Sequence, residues 1–210
     1  MVSIIPKANT VSEPLKRLVL TAARELFLNK GYDAVGMREI AHAVDREPIQ
    51  IYRLKLAKPD ILAELIIELN AEEIQRLPEL LAKVTGESLF ERVSSYFLEL
   101  YRLDVHYQPI RSVGAAFGWM WDVRYEQQIV DQVLQLLQPV AGWMAEAGLD
   151  DIQARCYGIW SVYYVGYRHA VVRGGGAEDC LAAIRPTLAV LLRDQRNVTA
   201  QLLSQKGAAA

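Results

Sequence analysis

The sequence is poor in cysteine and contains no long apolar run. Only two cysteines, Cys156 and Cys180, occur in 210 residues, and their spacing fits neither a disulfide framework nor a metal site. A membrane-spanning helix needs about 18 consecutive apolar residues, but the best candidate, residues 157–172, is interrupted by Arg168 and His169. The first residues also lack the pattern of a secretion signal. We therefore expect a protein of the reduced cytoplasm with no membrane partner.

The sequence also lacks the motifs that mark common enzymes. It contains no recognisable Ser–His–Asp arrangement, no His and Cys cluster with metal-ligand spacing and no glycine-rich phosphate loop. The three glycines at 174–176 separate two helical patterns, so they indicate a turn between helices. We expect no catalytic residue, no metal and no cofactor.

Strict alternation of apolar and polar residues, which is typical of a half-buried strand, is absent as well. Apolar residues recur at helical spacing along nearly the whole chain, and 52% of all residues are hydrophobic, enough for a substantial core. Breaks at Pro78, 85–86, Pro109, Asp122 and Gly148 separate these patterns. The sequence predicts an all-α fold of about nine helices, with a three-helix head on a helical-bundle body.

Residues 37–65 have the pattern of a helix-turn-helix followed by a longer helix. Apolar residues at helical spacing begin at Met37, Pro48 is suited to the first turn of the second helix, and a third helix begins at Lys58. The turn contains Asp45 in place of the usual glycine. Asp tolerates the left-handed backbone conformation better than most residues, so we expect the turn to form.

Charge is distributed unevenly along the chain. Residues 1–60 hold 10 Lys and Arg against 7 Asp and Glu, whereas the remainder holds 13 against 18. A basic head on an acidic body favours a polyanion as the partner of the head.

These features resemble the tetracycline-repressor (TetR) family of bacterial transcription regulators. The stretch AARELFLNKGYDAVGMREIA, together with Tyr52 and Lys58, matches the family pattern in register over residues 15–65. The resemblance implies a DNA-binding head at residues 1–60 and an effector-binding and dimerisation body at residues 61–210. It also implies that an effector inside the body moves two heads relative to each other.

The departures from the family pattern lie where the family contacts DNA. Gly36 replaces a Ser or Thr that caps the second helix, Glu47 replaces a small polar residue, and Leu54 and Lys55 replace a His-Phe pair. Near a phosphate the charge of Glu47 repels, whereas at the start of the third helix it is suited to a cap. Both interpretations remain open from the sequence.

Residue chemistry suggests how the head would contact double-stranded DNA. Arg pairs with guanine, Gln pairs with adenine and Ile contacts a thymine methyl group, whereas Lys, Arg and Tyr donate to phosphates. The predicted base readers are Arg38, Arg46, Ile49, Gln50 and Arg53. The predicted phosphate contacts are Tyr52, Arg53, Lys55 and Lys58.

The body is rich in Tyr and Trp, whose polar tips need partners, and this composition is typical of a ligand pocket as well as of a core. By the resemblance, the pocket would take a hydrophobic or aromatic small-molecule effector. Its predicted residues are Tyr101, His106, Arg111, Trp119, Trp121, Trp160, Tyr163 and Tyr167.

The last two helices have apolar residues on more than one face, so each must be buried on more than one face. We expect them to pack as an antiparallel hairpin and to pair with a second copy, giving a homodimer. The predicted interface residues are Tyr157, Tyr164, Ile184, Leu188 and Leu191.

The sequence therefore predicts a dimeric regulator, a repressor that binds a pseudo-palindromic operator and releases it when the effector binds. The alternative is a protein of the same fold whose head no longer reads DNA and which acts as a ligand- or partner-binding dimer. Salt-dependent binding to duplex DNA distinguishes the two.

Overall fold

The structure is a computed structural model that describes residues 12–118 and 120–193. Within these ranges the chain forms ten α-helices and no strand, which confirms the all-α prediction. The helices are α1 (Ser12–Lys30), α2 (Met37–Ala43), α3 (Pro48–Tyr52), α4 (Lys58–Gln75), α5 (Leu77–Ala82), α6 (Leu89–His106), α7 (Gln108–Phe117), α8 (Val123–Glu146), α9 (Ile152–Val172) and α10 (Ala177–Leu191). Helix α5 adds one to the expected number because Pro78 lies in the first turn of a separate short helix after α4. None of the described helices is long and apolar enough to cross a membrane.

The helices belong to two compact units, of which the first takes in the described residues up to Glu72 and His106–Gln132. Its core contains Phe27, Ile40, Ile51 and Leu62, all fully buried. Helix α1 ends where Gly31 adopts a φ of +82°, a conformation that favours glycine.

Helices α1 and α4 of this unit are joined by two ion pairs, Lys16–Glu64 at 2.7 Å and Arg24 with Glu72. Both pairs join positions 48 residues apart, so the two helices run in the same direction. Helix α4 begins at Lys58, where the Asp60 carboxylate accepts the Ala57 backbone N–H at 2.7 Å. These contacts fix the start of α4 next to the helix-turn-helix.

The second unit contains Glu73–Val105 and the described residues from Val133 onwards. Its core is built by α6, the second half of α8, α9 and α10. Tyr96 is fully buried in this core, and its hydroxyl donates to the Leu136 carbonyl at 2.7 Å. This hydroxyl is therefore buried together with its hydrogen-bond partner.

Helices α9 and α10 pack as an antiparallel hairpin, as predicted. The guanidinium of Arg155, near the start of α9, donates to the Leu191 carbonyl and, at 3.1 Å, to the Arg193 carbonyl at the end of α10. A buried cation thus satisfies carbonyls that the end of α10 leaves without a helical partner.

Two of the predicted interface residues are buried within the protomer. Ile184 and Leu188 are 1% and 0% exposed, because they lie on the face of α10 that belongs to the protomer's own core. Tyr164 and Leu191 are half-buried, and Tyr157 is exposed. Periodicity identified the apolar faces of α10 correctly but did not show which of them turns inward.

Candidate DNA-binding surface and effector site

The turn between α2 and α3 has the backbone conformation expected for a helix-turn-helix. Asp45 adopts a φ of +53°, which confirms the prediction that it takes the left-handed conformation. The Arg46 backbone N–H then donates to the Ala41 carbonyl at 2.9 Å and closes the end of α2. The substituted turn therefore forms with Asp in the position of the usual glycine.

Helix α3 is held by one fully buried residue, and three of its five residues are exposed. Ile51 is 0% exposed and anchors the helix in the core, whereas Ile49 is 57% and Tyr52 47% exposed. Gln50 and Arg53 are also exposed. We call the outward residues Ile49, Gln50, Tyr52 and Arg53 the α3 face.

Two of the predicted polar base readers make hydrogen bonds to nearby backbone. The side-chain carbonyl of Gln50 accepts the Glu47 backbone N–H at 2.9 Å, and Glu47 occupies the N-cap position of α3. The Arg46 guanidinium donates to the Asp45 carbonyl at 2.6 Å. Glu47 thus stands at the N-cap position with its backbone N–H bound by the side chain of Gln50, and both interpretations of the Glu47 charge stay predictions.

The helix-turn-helix region also carries exposed basic side chains. Arg38, Arg53 and Lys55 are exposed, and Lys55 ends the region with a φ of +60°. Lys58 is half-buried, and its ammonium lies 4.1 Å from the centroid of the Tyr32 ring, a cation–π contact. The Tyr32 ring therefore contacts the side chain of the first residue of α4.

In the second unit, three of the predicted effector residues form one aromatic cluster with internal hydrogen bonds. The rings of Tyr101 and Tyr163 stack with centroids 4.2 Å apart, and the Tyr101 hydroxyl donates to the Tyr163 carbonyl at 2.8 Å. The hydroxyls of Tyr163 and Tyr167 donate to Asp104, to its carboxylate at 2.8 Å and to its carbonyl at 3.2 Å. The hydroxyl groups of these three tyrosines therefore all have hydrogen-bond partners within the protein.

The protonation state of the Tyr163 and Tyr101 hydroxyls follows from their environment. Burial raises the pKa of the Tyr163 hydroxyl well above its usual value, and the Asp104 carboxylate raises it further. Burial likewise raises the pKa of Tyr101. Both hydroxyls remain neutral hydrogen-bond donors across the physiological pH range.

In the same unit, the indole nitrogen of Trp160 and the Ser94 hydroxyl are buried without a hydrogen-bond partner among the described residues. Phe97 on α6 packs against Tyr163 on α9, with ring centroids 5.2 Å apart. Ser94 lies one turn before Phe97 on α6, and Trp160 lies one turn before Tyr163 on α9. Ser94 was missed by sequence reasoning. The available signal was a polar residue on the apolar face of α6, three positions before Phe97.

The remaining predicted effector residues belong to the first unit or lie outside the described residues. His106 is exposed and its ring packs against Tyr107 at 4.7 Å. Arg111 is 8% exposed and donates to the Asn70 side chain, and Trp121 packs beside Phe117. Trp119 is not among the described residues. The structure therefore joins Tyr101, Tyr163, Tyr167 and Trp160 in one unit and assigns His106, Arg111 and Trp121 to the other.

The outward faces of α9 and α10 carry exposed apolar side chains. On α9 these are Tyr157, Val165 and Val172, which are 44%, 67% and 77% exposed. Their spacing of eight and seven residues places them along one stripe of the helix. Val190, 62% exposed, is the corresponding residue of α10. This stripe is the surface that the single chain leaves open on the hairpin.

Comparison with known proteins gives a family for the head and a fold for the chain. Residues 19–53 match the model of the bacterial regulatory proteins of the tetR family. No curated protein matches the sequence.

Solved structures share the fold at low sequence identity. FadR from Bacillus subtilis, a transcriptional regulator solved with stearoyl-CoA, is 19% identical with a TM-score of 0.61, over 85% of this chain and 98% of that one. A TetR/AcrR-family regulator from Thermobifida fusca YX-ER1 is 19% identical with a TM-score of 0.59, over 83% and 96%. The superantigen PfiT is 19% identical with a TM-score of 0.54, over 83% and 98%.

Proposed function

We propose that the chain is a regulator of the tetR family that binds operator DNA, because residues 19–53 match the model of that family and the fold is shared with solved regulators. In this proposal residues 1–60 contact the major groove through the α3 face, and residues 61–210 bind an effector and form a homodimer. The protein releases the operator when the effector binds, and it therefore acts as a cytoplasmic repressor.

The observation that carries the proposal is the intact helix-turn-helix with an exposed, cation-flanked α3. Asp45 supports the turn despite the loss of glycine, and Arg38, Arg53 and Lys55 remain exposed beside α3. Basic side chains can replace neutral phosphate donors, and they release counterions when they bind DNA. The altered head therefore retains basic side chains that can bind the phosphates of a duplex.

The proposal predicts salt-dependent DNA binding in which Lys58 takes part. Affinity for duplex DNA should fall steeply with salt, and Lys58→Ala should weaken all duplexes alike and flatten the slope of log K against log salt by about one unit. Fluorescence anisotropy of a labelled duplex at several salt concentrations measures this slope. Lys83→Ala is the matched control, since Lys83 pairs with Glu99 in the second unit.

The proposal is abandoned if the wild-type chain shows no salt-dependent binding to any duplex at low salt. An unchanged slope in Lys58→Ala, with the wild type still binding, would remove Lys58 alone from the phosphate contacts.

The effector part of the proposal rests on the buried indole nitrogen of Trp160 and the Ser94 hydroxyl. Buried polar groups without a partner are costly, and a ligand oxygen would satisfy them. FadR was solved with stearoyl-CoA, so a protein of this fold can hold a small molecule with a long apolar part. For the present chain we propose a hydrophobic or aromatic effector that carries a hydrogen-bond acceptor.

The dimer part rests on the apolar stripe of α9 and α10. A two-fold axis through this stripe would bring Val165 against its own copy and create a self-complementary four-helix interface. A second function also has support, because the superantigen PfiT shares the fold. A dimer that binds a ligand or partner but no DNA is therefore the alternative.

A further inference from the structure

The centre of the α3 face is apolar. Ile49 is 57% exposed, whereas its neighbours Ile40 and Ile51 are 0% exposed in the core. At 100° per residue, Ile49 lies between Gln50 and Tyr52 on the helix surface, and Arg53 lies one turn further on. An exposed isoleucine at the centre of this surface is therefore available to contact a base edge when α3 enters the major groove.

Two of the predicted polar base readers, Gln50 and Arg46, are engaged by the protein backbone. A glutamine that reads adenine must accept from the base amine through its carbonyl while it donates through its amide. In Gln50 the carbonyl instead faces the Glu47 backbone N–H at 2.9 Å, towards the beginning of α3. Arg46 is similarly engaged by the Asp45 carbonyl at 2.6 Å. These contacts occupy two of the five predicted base readers, whereas the Ile49 side chain remains exposed.

The chemistry of the surroundings selects the partner of Ile49. Exposed Arg38, Arg53 and Lys55 complement a polyanion and would oppose burial against an apolar protein surface. In the major groove, the apolar group on a base edge is the C5-methyl group of thymine. We propose that Ile49 is a specificity-determining residue that reads a thymine methyl group in each operator half-site, while Gln50 serves mainly to cap α3. This inference rests on the proposed DNA binding.

The expected effect follows from the size of a methyl group. Burial of one such group against an apolar side chain corresponds to about fourfold in affinity. Removal of the methyl from both half-sites of a palindrome should therefore weaken binding roughly sixteenfold. The hydrogen-bonding groups of the base pair are unchanged by that removal.

The experiment uses the full chain and a duplex selected from random sequences at low salt. Each thymine in the enriched half-site is replaced by deoxyuridine, which lacks only the C5-methyl group, and affinity is measured by fluorescence anisotropy. We expect one thymine position to show the roughly fourfold loss per half-site in the wild type. In Ile49→Ala the same replacement should have no effect, which is a double-mutant cycle between protein and DNA.

Two control variants distinguish reading from general weakening. Leu18→Ala removes a side chain with the same exposure, 57%, from α1 and should preserve the deoxyuridine effect. Gln50→Ala, a change on the α3 face itself, is expected to weaken binding to all duplexes through loss of the cap, while the roughly fourfold effect of deoxyuridine persists.

The outcomes distinguish failure of the Ile49 inference from failure of the proposed DNA binding. If deoxyuridine weakens Ile49→Ala as much as the wild type, or weakens neither, Ile49 does not read a methyl group although the protein still binds DNA. If no duplex is bound in a salt-dependent way, the proposed function and this inference are both rejected.

Discussion

At the scale of single residues, Trp160 has a polar group that the folded protein leaves unsatisfied. Its ring packs near Tyr164 with centroids 6.0 Å apart, yet its indole nitrogen is buried and meets no acceptor among the described residues. The tyrosines around it do meet partners, as Tyr163 does with Asp104. A buried unpaired donor costs about 1–3 kcal/mol. This contrast supports the proposal that Trp160 is the polar contact for an effector.

We expect Trp160→Phe to separate effector binding from stability. Removal of the N–H should lower effector affinity about tenfold. The free energy of unfolding should change by less than about 1 kcal/mol, since lost packing is offset by loss of the unpaired donor. Tryptophan fluorescence titration with apolar and aromatic compounds finds the effector, and urea denaturation measures stability.

Trp143→Phe is the control for this change, because Trp143 packs against Tyr96 at 5.8 Å elsewhere in the same unit. Equal affinity in the wild type and Trp160→Phe would show that the indole N–H does not contact the effector. Failure of a broad library to change the wild-type emission would argue against an effector altogether.

At the scale of elements, the α9–α10 hairpin depends on one close approach. A Cβ atom at Gly166 would lie 2.3 Å from Ile184 Cγ2 and 2.8 Å from the Cys180 backbone carbonyl. A side-chain methyl can move, but a helix carbonyl cannot without shifting α10. Gly166 therefore sets the distance between the two helices, and the same Cβ atom would also lie 2.8 Å from the Tyr101 hydroxyl.

Gly166→Ala should destabilise the protein by about 1–3 kcal/mol, because overpacking at a backbone contact outweighs the better helix propensity of alanine. The control is Gly142→Ala in α8, where a Cβ would meet nothing within 4 Å. That change should stabilise by up to about 1 kcal/mol. Chemical denaturation of both variants checks the prediction, and equal effects of the two would show that α9 and α10 are not in tight contact.

At the scale of the whole molecule, the exposed stripe of the hairpin determines the proposed assembly. The stripe lies outside the protomer core, so a charge on it should leave the protomer folded. Stable dimers of this kind bury about 2,000 Å² or more in total, and a charge within such an interface remains unpaired. By contrast, a charge at Leu188 would enter the core, since this residue is 0% exposed.

Val165→Glu should therefore convert the dimer to a folded monomer and abolish binding to a two-half-site duplex. Light scattering with size-exclusion chromatography measures the mass, and circular dichroism checks the fold. Val123→Glu is the matched control, since Val123 is 77% exposed in the first unit and should leave the mass unchanged. A monomeric wild type would contradict the dimer and, with it, the paired-groove geometry of about 34–36 Å.

The sequence by itself determined the features that depend on residues close together in the chain. Helical periodicity predicted an all-α fold, the three glycines predicted the turn of the α9–α10 hairpin, and the tolerance of Asp for the left-handed conformation predicted the turn at Asp45. Each of these follows from steric and hydrogen-bonding preferences that act over a few residues.

Only the tertiary structure decided which polar and apolar groups found partners. The Tyr163 hydroxyl is satisfied by Asp104, 59 positions away, and Ile184 turns inward although other faces of α10 are also apolar. Trp160 and Tyr163 have the same kind of aromatic pattern in the sequence, yet only the indole nitrogen lacks an acceptor. The physical reason is that periodicity defines the faces of a helix, whereas the burial and hydrogen bonding of each face depend on distant segments that pack against it.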